Sequence, residues 1–334
     1  MKKLIFLCST FLLLFGCSPS TDLEALDTFD NKISKLKEYH LEGELSIYDN
    51  EENYKYDVMV DYLNNLYLVK MINKDNKHEQ IILKSNDGLY VITPSLNKSF
   101  KFDSNWPDNS SQSYILSALL NDLRNGSASI NSNNDGYIIE TKVNYPNNSS
   151  LKYEKIYLDH KCNLTKVEVF DENDTIRISL GVNKLDYKTT LKENDFVLDN
   201  YIKNEDCTEN CNNENSVSKI ESAIYPLFVP VNTYLSSSEI INDSDSSRAI
   251  ITFSGDKNYV LVEELANVYL DHEIIPVYGE PIMLNDTIAA MSSNSLNWTS
   301  NGVNYYLASD DLTTSEMVSI AQSLTNAQNV AYIK

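Results

Sequence analysis

Cysteine is the residue type with the widest range of chemistry in this chain, because a thiol can be acylated, oxidised to a disulfide or bound to a metal. The five cysteines stand at positions 8, 17, 162, 207 and 211. Cys207 and Cys211 are separated by three residues in a polar stretch without histidine, which argues against a metal site. For the three later cysteines two pairings stay open: Cys207 with Cys211, or Cys162 with one of them.

The N-terminus has the pattern of an export signal. Lysines precede an apolar run over residues 4–15, which is shorter than the roughly 20 residues that span a bilayer. Cys17 follows Gly16, with Leu14 three residues before it, and this resembles the lipobox of bacterial lipoproteins. The resemblance implies a diacylglycerol on Cys17, removal of the signal peptide 1–16, and anchoring at the extracytoplasmic face of the cell membrane. The alternative is an ordinary signal peptide with an accidental cysteine, but an Ala-x-Ala cleavage site is absent.

Residue patterns typical of enzymes are missing from the sequence. None of the four histidines stands in a His-Glu-x-x-His or comparable metal-ligand spacing. Ser254-Gly255 lacks the first glycine of a nucleophile elbow, and neither a Gly-x-Gly-x-x-Gly nor a Walker A loop occurs. The sequence therefore predicts a protein that is not an enzyme, with no catalytic residues, metal ligands or cofactor.

Composition limits the partners. The formal net charge of −21 is spread along the chain and argues against binding to nucleic acid or to anionic lipid headgroups. Any hold on the membrane must then come from acyl chains. Hydrophobic residues make up 42% of the chain, enough for a core, and the 22 tyrosines suit sheets with one solvated face.

Hydrophobic periodicity predicts the elements that must position any site. Apolar residues at three- and four-residue steps predict a helix beginning near Asp22: Leu23, Leu26, Phe29, Ile33 and Leu36. From Leu41 the period changes to two, and strand-like runs about ten residues apart up to Phe102 predict an antiparallel meander. A second helix is predicted over residues 114–123, then four more strands up to residue 180.

The sequence after residue 199 indicates a linker and a separate C-terminal domain. Residues 200–217 are polar and charged, which predicts a linker between a first domain at 17–199 and a C-terminal domain at 218–334. Two strands are predicted near Arg248–Phe253 and Asn258–Glu263. A closing helix is predicted from about Thr314, with Thr313 and Glu316 at the spacing of a capping box.

The late part of the first domain resembles a known family. The stretch from Ile156 to Val169, then Leu185-Asp186-Tyr187 and Asp195-Phe196, is similar to the final strands and phenylalanine of the LolA family of lipoprotein carriers. Thr165 stands where that family usually has proline. The resemblance implies an α+β fold: a LolA-like curved antiparallel half-barrel with covering helices, followed by a small α+β C-terminal domain.

This fold would place an apolar cavity on the concave face of the sheet, beneath the helices. A cavity of this kind can hold an acyl chain, because burial of each methylene contributes about 0.8 kcal/mol. Twelve apolar residues are candidates for its lining: Leu45, Ile47, Tyr56, Val58, Val60, Leu68, Ile82, Leu89, Val91, Phe100, Ile115 and Leu119. The alternative is a packed core without room for lipid, and a register slip of one residue would exchange the two faces.

The C-terminal part resembles a small domain that follows LolA-like domains in lipoproteins of sporulating Gram-positive bacteria. The resemblance rests on Tyr225-Pro226, Thr252–Gly255 and Tyr305-Tyr306-Leu307, among others. It implies an envelope lipoprotein of sporulation or spore germination. Two functions stay open: non-catalytic binding of an acyl chain or envelope partner, or docking onto a cell-wall peptidoglycan hydrolase and activating it without carrying lipid.

Overall fold

A computed structural model describes residues 21–49, 52–202, 219–243, 246–267 and 271–332. The signal peptide, Cys17, Cys207, Cys211 and all but the first three residues of the predicted linker 200–217 lie outside these ranges. The domain boundaries and the lipid anchor therefore stay predictions.

Three α-helices are present in the described ranges, each near its predicted position. Helix α1 (Asp22–Ser34) begins at Thr21, whose hydroxyl oxygen accepts a hydrogen bond from the Glu24 amide at 3.2 Å. Helix α2 spans Leu116–Asn125, and α3 spans Thr314–Tyr332. Thr313 and Glu316 form the predicted capping box at the start of α3.

The buried line of α1 differs from the predicted stripe. Ala25, Phe29 and Ile33 recur at four-residue steps and face the core. Leu23 lies on another side of the helix and is 72% exposed, so the prediction was wrong for that residue.

The strands form two antiparallel sheets, with one parallel pairing in the first sheet. The eleven strands that precede residue 200 are β1 (Glu38–Tyr48), β2 (Asn53–Leu63), β3 (Leu66–Asn73), β4 (Glu79–Ser85), β5 (Gly88–Thr93), β6 (Lys98–Phe102), β7 (Ser129–Asn133), β8 (Gly136–Lys142), β9 (Leu151–Leu158), β10 (Leu164–Asp171) and β11 (Ile176–Asp186). The later strands are β12 (Thr233–Asn242), β13 (Ser247–Gly255), β14 (Tyr259–Leu265), β15 (Glu273–Val277), β16 (Gly279–Met283), β17 (Ile288–Ser292), β18 (Ser295–Ser300) and β19 (Val303–Ala308).

The first sheet has twelve strands in the order β15-β6-β5-β4-β3-β2-β1-β11-β10-β9-β8-β7. It is not closed into a barrel, since β15 and β7 are its two edges. The register between β1 and β11 shifts at Gly43, where a Cβ atom would lie 2.5 Å from the carbonyl oxygen of Gly181. Only glycine allows this close approach, and such irregularities increase the local bend and twist of a sheet. The predicted α+β class with a curved, helix-covered sheet is confirmed.

The main core lies on the concave face of the first sheet, beneath α1 and α2. Alternate residues of each strand point into it, and Phe29 of α1 and Leu119 of α2 close it from above. Ile288 and Ala290 of β17 are buried in the same cluster. The C-terminal part therefore contributes directly to the core of the half-barrel.

A smaller cluster lies on the opposite face of β3, β4 and β5. It contains Leu66, Leu68, Ile81, Leu83, Tyr90 and Ile92, covered by Phe196. Leu68 is therefore on the convex face, and its assignment to the concave face was wrong. Its neighbours Tyr67 and Val69 are the residues of β3 that face the main core.

The second sheet has seven strands in the order β12-β13-β14-β19-β18-β17-β16. Its core packs against α3 and contains Trp298, stacked on Tyr305 with ring centroids 4.9 Å apart. Strand β15 belongs to the other sheet, where it pairs in parallel with β6. The C-terminal part thus supplies both an edge strand and core residues to the first sheet.

Candidate functional site

A pocket of about 360 Å³ lies between the first sheet and the C-terminal part of the chain. Apolar walls come from Ile47 of β1, Ile178 of β11, Met283 of β16 and Val318 of α3. Ten polar residues also line it: Asp49, Ser110, Gln112, Asn147, Asn148, Ser150, Arg177, Glu280, Asn285 and Gln322. The volume falls in the range of about 300–1,000 Å³ that is typical of small-molecule sites. A ligand with both apolar and polar groups would match this lining.

One side of the pocket is fixed by residues 284–288, which we call the docking segment. The Tyr56 hydroxyl donates to the carbonyl oxygen of Asn285 at 2.7 Å. The Gln80 amide meets Ile288 at two points: its oxygen accepts from the backbone N–H at 2.6 Å, and its nitrogen donates to the carbonyl at 3.3 Å. Gln80 is buried, so its side-chain amide satisfies the backbone N–H and C=O of Ile288 in place of a neighbouring strand. The first sheet therefore holds this wall of the pocket through β2 and β4.

Asn285 ties three elements together at the pocket. Its side-chain nitrogen donates to Asp49 Oδ2 at 2.9 Å, and its side-chain oxygen accepts from Gln322 of α3 at 3.0 Å. Leu284 on one side and Ile288 on the other are buried. The pocket is thus formed at a rigid junction of β1, α3 and the docking segment.

Two charged groups at the pocket have defined partners. Arg177 Nε donates to Asp171 Oδ2 at 2.7 Å. Hydrogen bonds to Asp171 lower the pKa of its carboxyl. The larger effect comes from the backbone N–H of Thr175, and the next from the Arg177 side chain. Glu280 accepts a hydrogen bond from Asn109, but burial outweighs it and raises the pKa of the Glu280 carboxyl. The pocket therefore carries a cation at Arg177 and a partly desolvated acid at Glu280.

A second polar feature lies on the concave face close to the pocket. Glu154 of β9 is fully buried, and within the described ranges neither of its carboxyl oxygens has a hydrogen-bond partner. Burial raises the pKa of Glu154 well above its usual value, and the charge of Asp122 on α2 raises it further. Burial also raises the pKa of Asp122 to about 6. Tyr145 lines the pocket, and burial raises the pKa of its hydroxyl. The negative charges of Glu154 and Asp122 raise this pKa further.

The twelve predicted lining residues occupy the core more than the pocket. All but Leu68 belong to the buried cluster on the concave face. Of the twelve, Ile47 alone lines the pocket described here. Whether any of the others contacts a lipid stays a prediction. Most pocket residues were missed because they come from separate parts of the chain and no local pattern connects them.

The remaining sequence-predicted residues can be placed in part. Cys162 is buried, its thiol is free in the described part of the chain, and burial raises the pKa of this thiol. A disulfide from Cys162 to Cys207 or Cys211 stays a prediction. Over the described ranges, no group of three or more His, Cys, Asp or Glu residues could hold a metal ion. None of the helices in these ranges is long and apolar enough to cross a membrane.

The fold and the pocket together define an α+β protein with a ligand-sized site between a helix-covered sheet and a C-terminal part. No protein-family profile matches the chain. It is 30% identical over 317 residues to the sporulation protein YdcC of Bacillus subtilis (strain 168), covering 94% of this chain and 93% of that relative. The chain belongs to the family of this sporulation protein.

Solved structures give more distant likenesses. The MucA/MucB complex of Pseudomonas aeruginosa aligns over 90% of this chain and 96% of the other, with 9% identity and a TM-score of 0.31. The LolA superfamily protein NE2245 of Nitrosomonas europaea aligns over 55% of this chain and 100% of the other, with 12% identity and a TM-score of 0.31.

Proposed function

We propose that this chain is a non-catalytic, lipid-anchored binding protein of sporulating cells, which holds an acyl chain in the pocket at the extracytoplasmic face of the membrane. The observation that carries the proposal is the pocket of about 360 Å³, whose walls include Ile47, Ile178, Met283 and Val318. Membership of the YdcC family supports the sporulation setting. The Leu14–Cys17 sequence supports the anchor.

The chemistry of the lining favours a fatty acyl group. Apolar walls gain about 0.8 kcal/mol from each methylene removed from water. Arg177 stands at the pocket with a carboxylate partner, Asp171, so the charge of Arg177 is compensated before a ligand arrives. The docking segment is fixed by Tyr56 and Gln80, which makes the pocket largely preformed and limits the cost of ordering it.

Native mass spectrometry tests the ligand. The chain from Ser18 onward, purified from cells with intact membranes, should carry added masses that match fatty acyl lipids. Ile282→Trp should fill the pocket with an indole and abolish the adduct, because Ile282 lines the pocket. The matched control is Ile274→Trp on β15, where the side chain is exposed and outside the pocket lining; it should keep the adduct.

If the parent protein showed only its own mass, with no added lipid, the proposal of a bound acyl chain would be contradicted. If a cell-wall hydrolase then co-purified with the bare protein and gained activity from it, the alternative function of a hydrolase activator would replace it. Equal adducts in the Ile282→Trp and parent proteins would show that lipid binds elsewhere.

Fractionation of cells tests the anchor. Cys17→Ala should move the protein from the membrane to the soluble fraction, because a net charge of −21 gives no attraction to anionic headgroups. Cys162→Ala is the matched control, since Cys162 is buried in the fold, and this variant should stay with the membrane. A Cys17→Ala protein that stayed with the membrane would contradict lipidation as the anchor.

A further inference from the structure

The outer strand of the second sheet has an open edge. Strand β12 is the first of the seven strands, and in the described part of the chain it pairs with β13 alone. One side of its ten-residue backbone therefore presents amide N–H and C=O groups that no neighbouring strand satisfies. Strand addition from a partner would satisfy them.

The other sheet edges are short or contain proline, whereas the one irregularity of β12 is a register shift between Leu235 and Ser237. Strand β7 has only five residues, while β15 contains Pro276 and β16 contains Pro281. Short strands, prolines and lysines are the usual means of blocking an edge. Strand β12 contains neither proline nor lysine, and its one charged residue is Glu239. Among the described edges β12 is the longest, and residues 237–242 beyond the register shift offer an uninterrupted stretch for pairing.

Exposed apolar side chains are concentrated in the sequence that leads into and forms β12. Twelve large hydrophobic residues of the described chain are exposed, and seven of them lie between positions 225 and 240: Tyr225, Leu227, Phe228, Val231, Tyr234, Leu235 and Ile240. Concentration of exposed apolar groups in one short region marks an interaction surface.

The register of β12 shows how a partner would extend the core. Leu235 pairs with Phe253 and Ile240 pairs with Ala249, so both point to the face that α3 covers further along the sheet. Both are exposed, and no strand of the described chain lies beyond β12. An added strand with apolar residues at alternate positions would cover Leu235 and Ile240 and continue this core.

We propose that β12 binds an extended, basic segment of a partner protein as an additional β-strand. The partner's charge follows from this part of the chain: residues 219–334 contain fourteen Asp and Glu against four Lys and Arg, a formal charge of −10. Two copies of the chain would bring two such surfaces together and repel each other. A basic segment is attracted, and its alternate apolar residues pack on Leu235 and Ile240.

Peptide binding tests this surface on the full mature chain with Cys17→Ala. The probe is a ten-residue peptide of alternating valine and lysine; one control replaces the lysines with glutamates, and another keeps the lysines but replaces two valines with prolines. The first peptide should bind and slow amide hydrogen exchange in residues 233–242. Both controls should bind at least tenfold more weakly, because the glutamates repel the surface and the prolines prevent strand pairing.

A pair of lysine variants locates the site. Ile240→Lys should weaken binding of the valine–lysine peptide at least tenfold, since the lysine both repels the peptide and protects the edge. Ile274→Lys, at an exposed position on edge strand β15, should leave the affinity unchanged. Equal binding of all three peptides, or binding without protection of residues 233–242, would overturn the proposal. So would a concentration-dependent dimer in which β12 is protected without peptide, because the occupant would then be a second copy.

Discussion

Trp106→Ala is expected to lower the free energy of unfolding by about 3–5 kcal/mol, the usual cost of removing a large aromatic side chain from a core. Trp106 is 1% exposed and meets the ring of Tyr67 edge-on, with centroids 5.8 Å apart. The hydroxyl of Tyr67 is in turn 2.9 Å from Ser117 of α2. The variant therefore leaves a cavity at the contact between β3 and α2. Urea unfolding followed by circular dichroism measures the loss.

Two further substitutions show whether the loss comes from the cavity. Trp106→Phe keeps an aromatic ring beside Tyr67 and should cost clearly less than the alanine variant. Leu23→Ala removes an equally apolar but exposed side chain and should stay within about 0.5 kcal/mol of the parent. An alanine variant at Trp106 as stable as the parent would contradict its place in the core.

The elements that periodicity predicts well are those with one buried and one solvated face. Strand β2 alternates Tyr54, Tyr56, Val58 and Val60 toward the core, so the pattern indicates both the strand and its inner face. Strand β3 has no such alternation, because Phe196 covers its convex face and makes Leu68 as buried as Val69. The sequence could not show which of the two faced the helices, since a continuous apolar run fits either register.

The C-terminal strands were harder to predict for a different reason. Strands β15 and β16 have five residues each and contain Pro276 and Pro281, which local patterns associate with turns. Strand β15 is stabilised by parallel pairing with β6, 175 residues earlier, and no local signal reports such a pairing. The pocket depends on the same long-range contacts, which is why its lining could not be predicted.

The buried carboxyl near the pocket did leave a signal in the sequence. Glu154 precedes Ile156 and Leu158 at two-residue steps, so the alternation of β9 places a carboxyl on the face that enters the core. A charged residue at an inward position is uncommon, because desolvation of a carboxylate is costly. The pattern alone could have identified Glu154, but not Asp122 of α2, which only the packing of the helix brings near it.

Glu154→Gln is expected to make the protein more stable than the parent at pH 8, by about 1–3 kcal/mol. Neither oxygen of Glu154 has a hydrogen-bond partner among the described residues, so the substitution removes the cost of protonating or burying this carboxylate at pH 8 without removing a bond seen there. It also removes the repulsion between Glu154 and Asp122. Most single substitutions in a core destabilise, which makes a gain at this position a specific result.

The same pair should make the parent protein less stable as the pH rises. Folding raises the pKa of both carboxyls, to about 6 for Asp122 and well above the usual value for Glu154. The folded state therefore holds more protons than the unfolded chain, and its stability falls with increasing pH in the interval between the unfolded and folded pKa values. For Asp122 this interval runs from its usual value of 3.8 to about 6. For Glu154 it extends higher.

Urea unfolding at several pH values between 4 and 8 measures this dependence in the parent and in Glu154→Gln. The variant should show a flatter profile above pH 6, since one titrating group is gone, while Asp122 keeps the pH dependence that its own burial produces. Glu140→Gln is the matched control, because Glu140 is an exposed carboxylate on the adjacent strand β8, and its profile should follow the parent. A parent profile that is flat from pH 4 to 8 would contradict protonation of the buried pair. Equal destabilisation of Glu154→Gln at every pH would instead show that the carboxyl is bonded in the fold, and the gain at pH 8 would not occur.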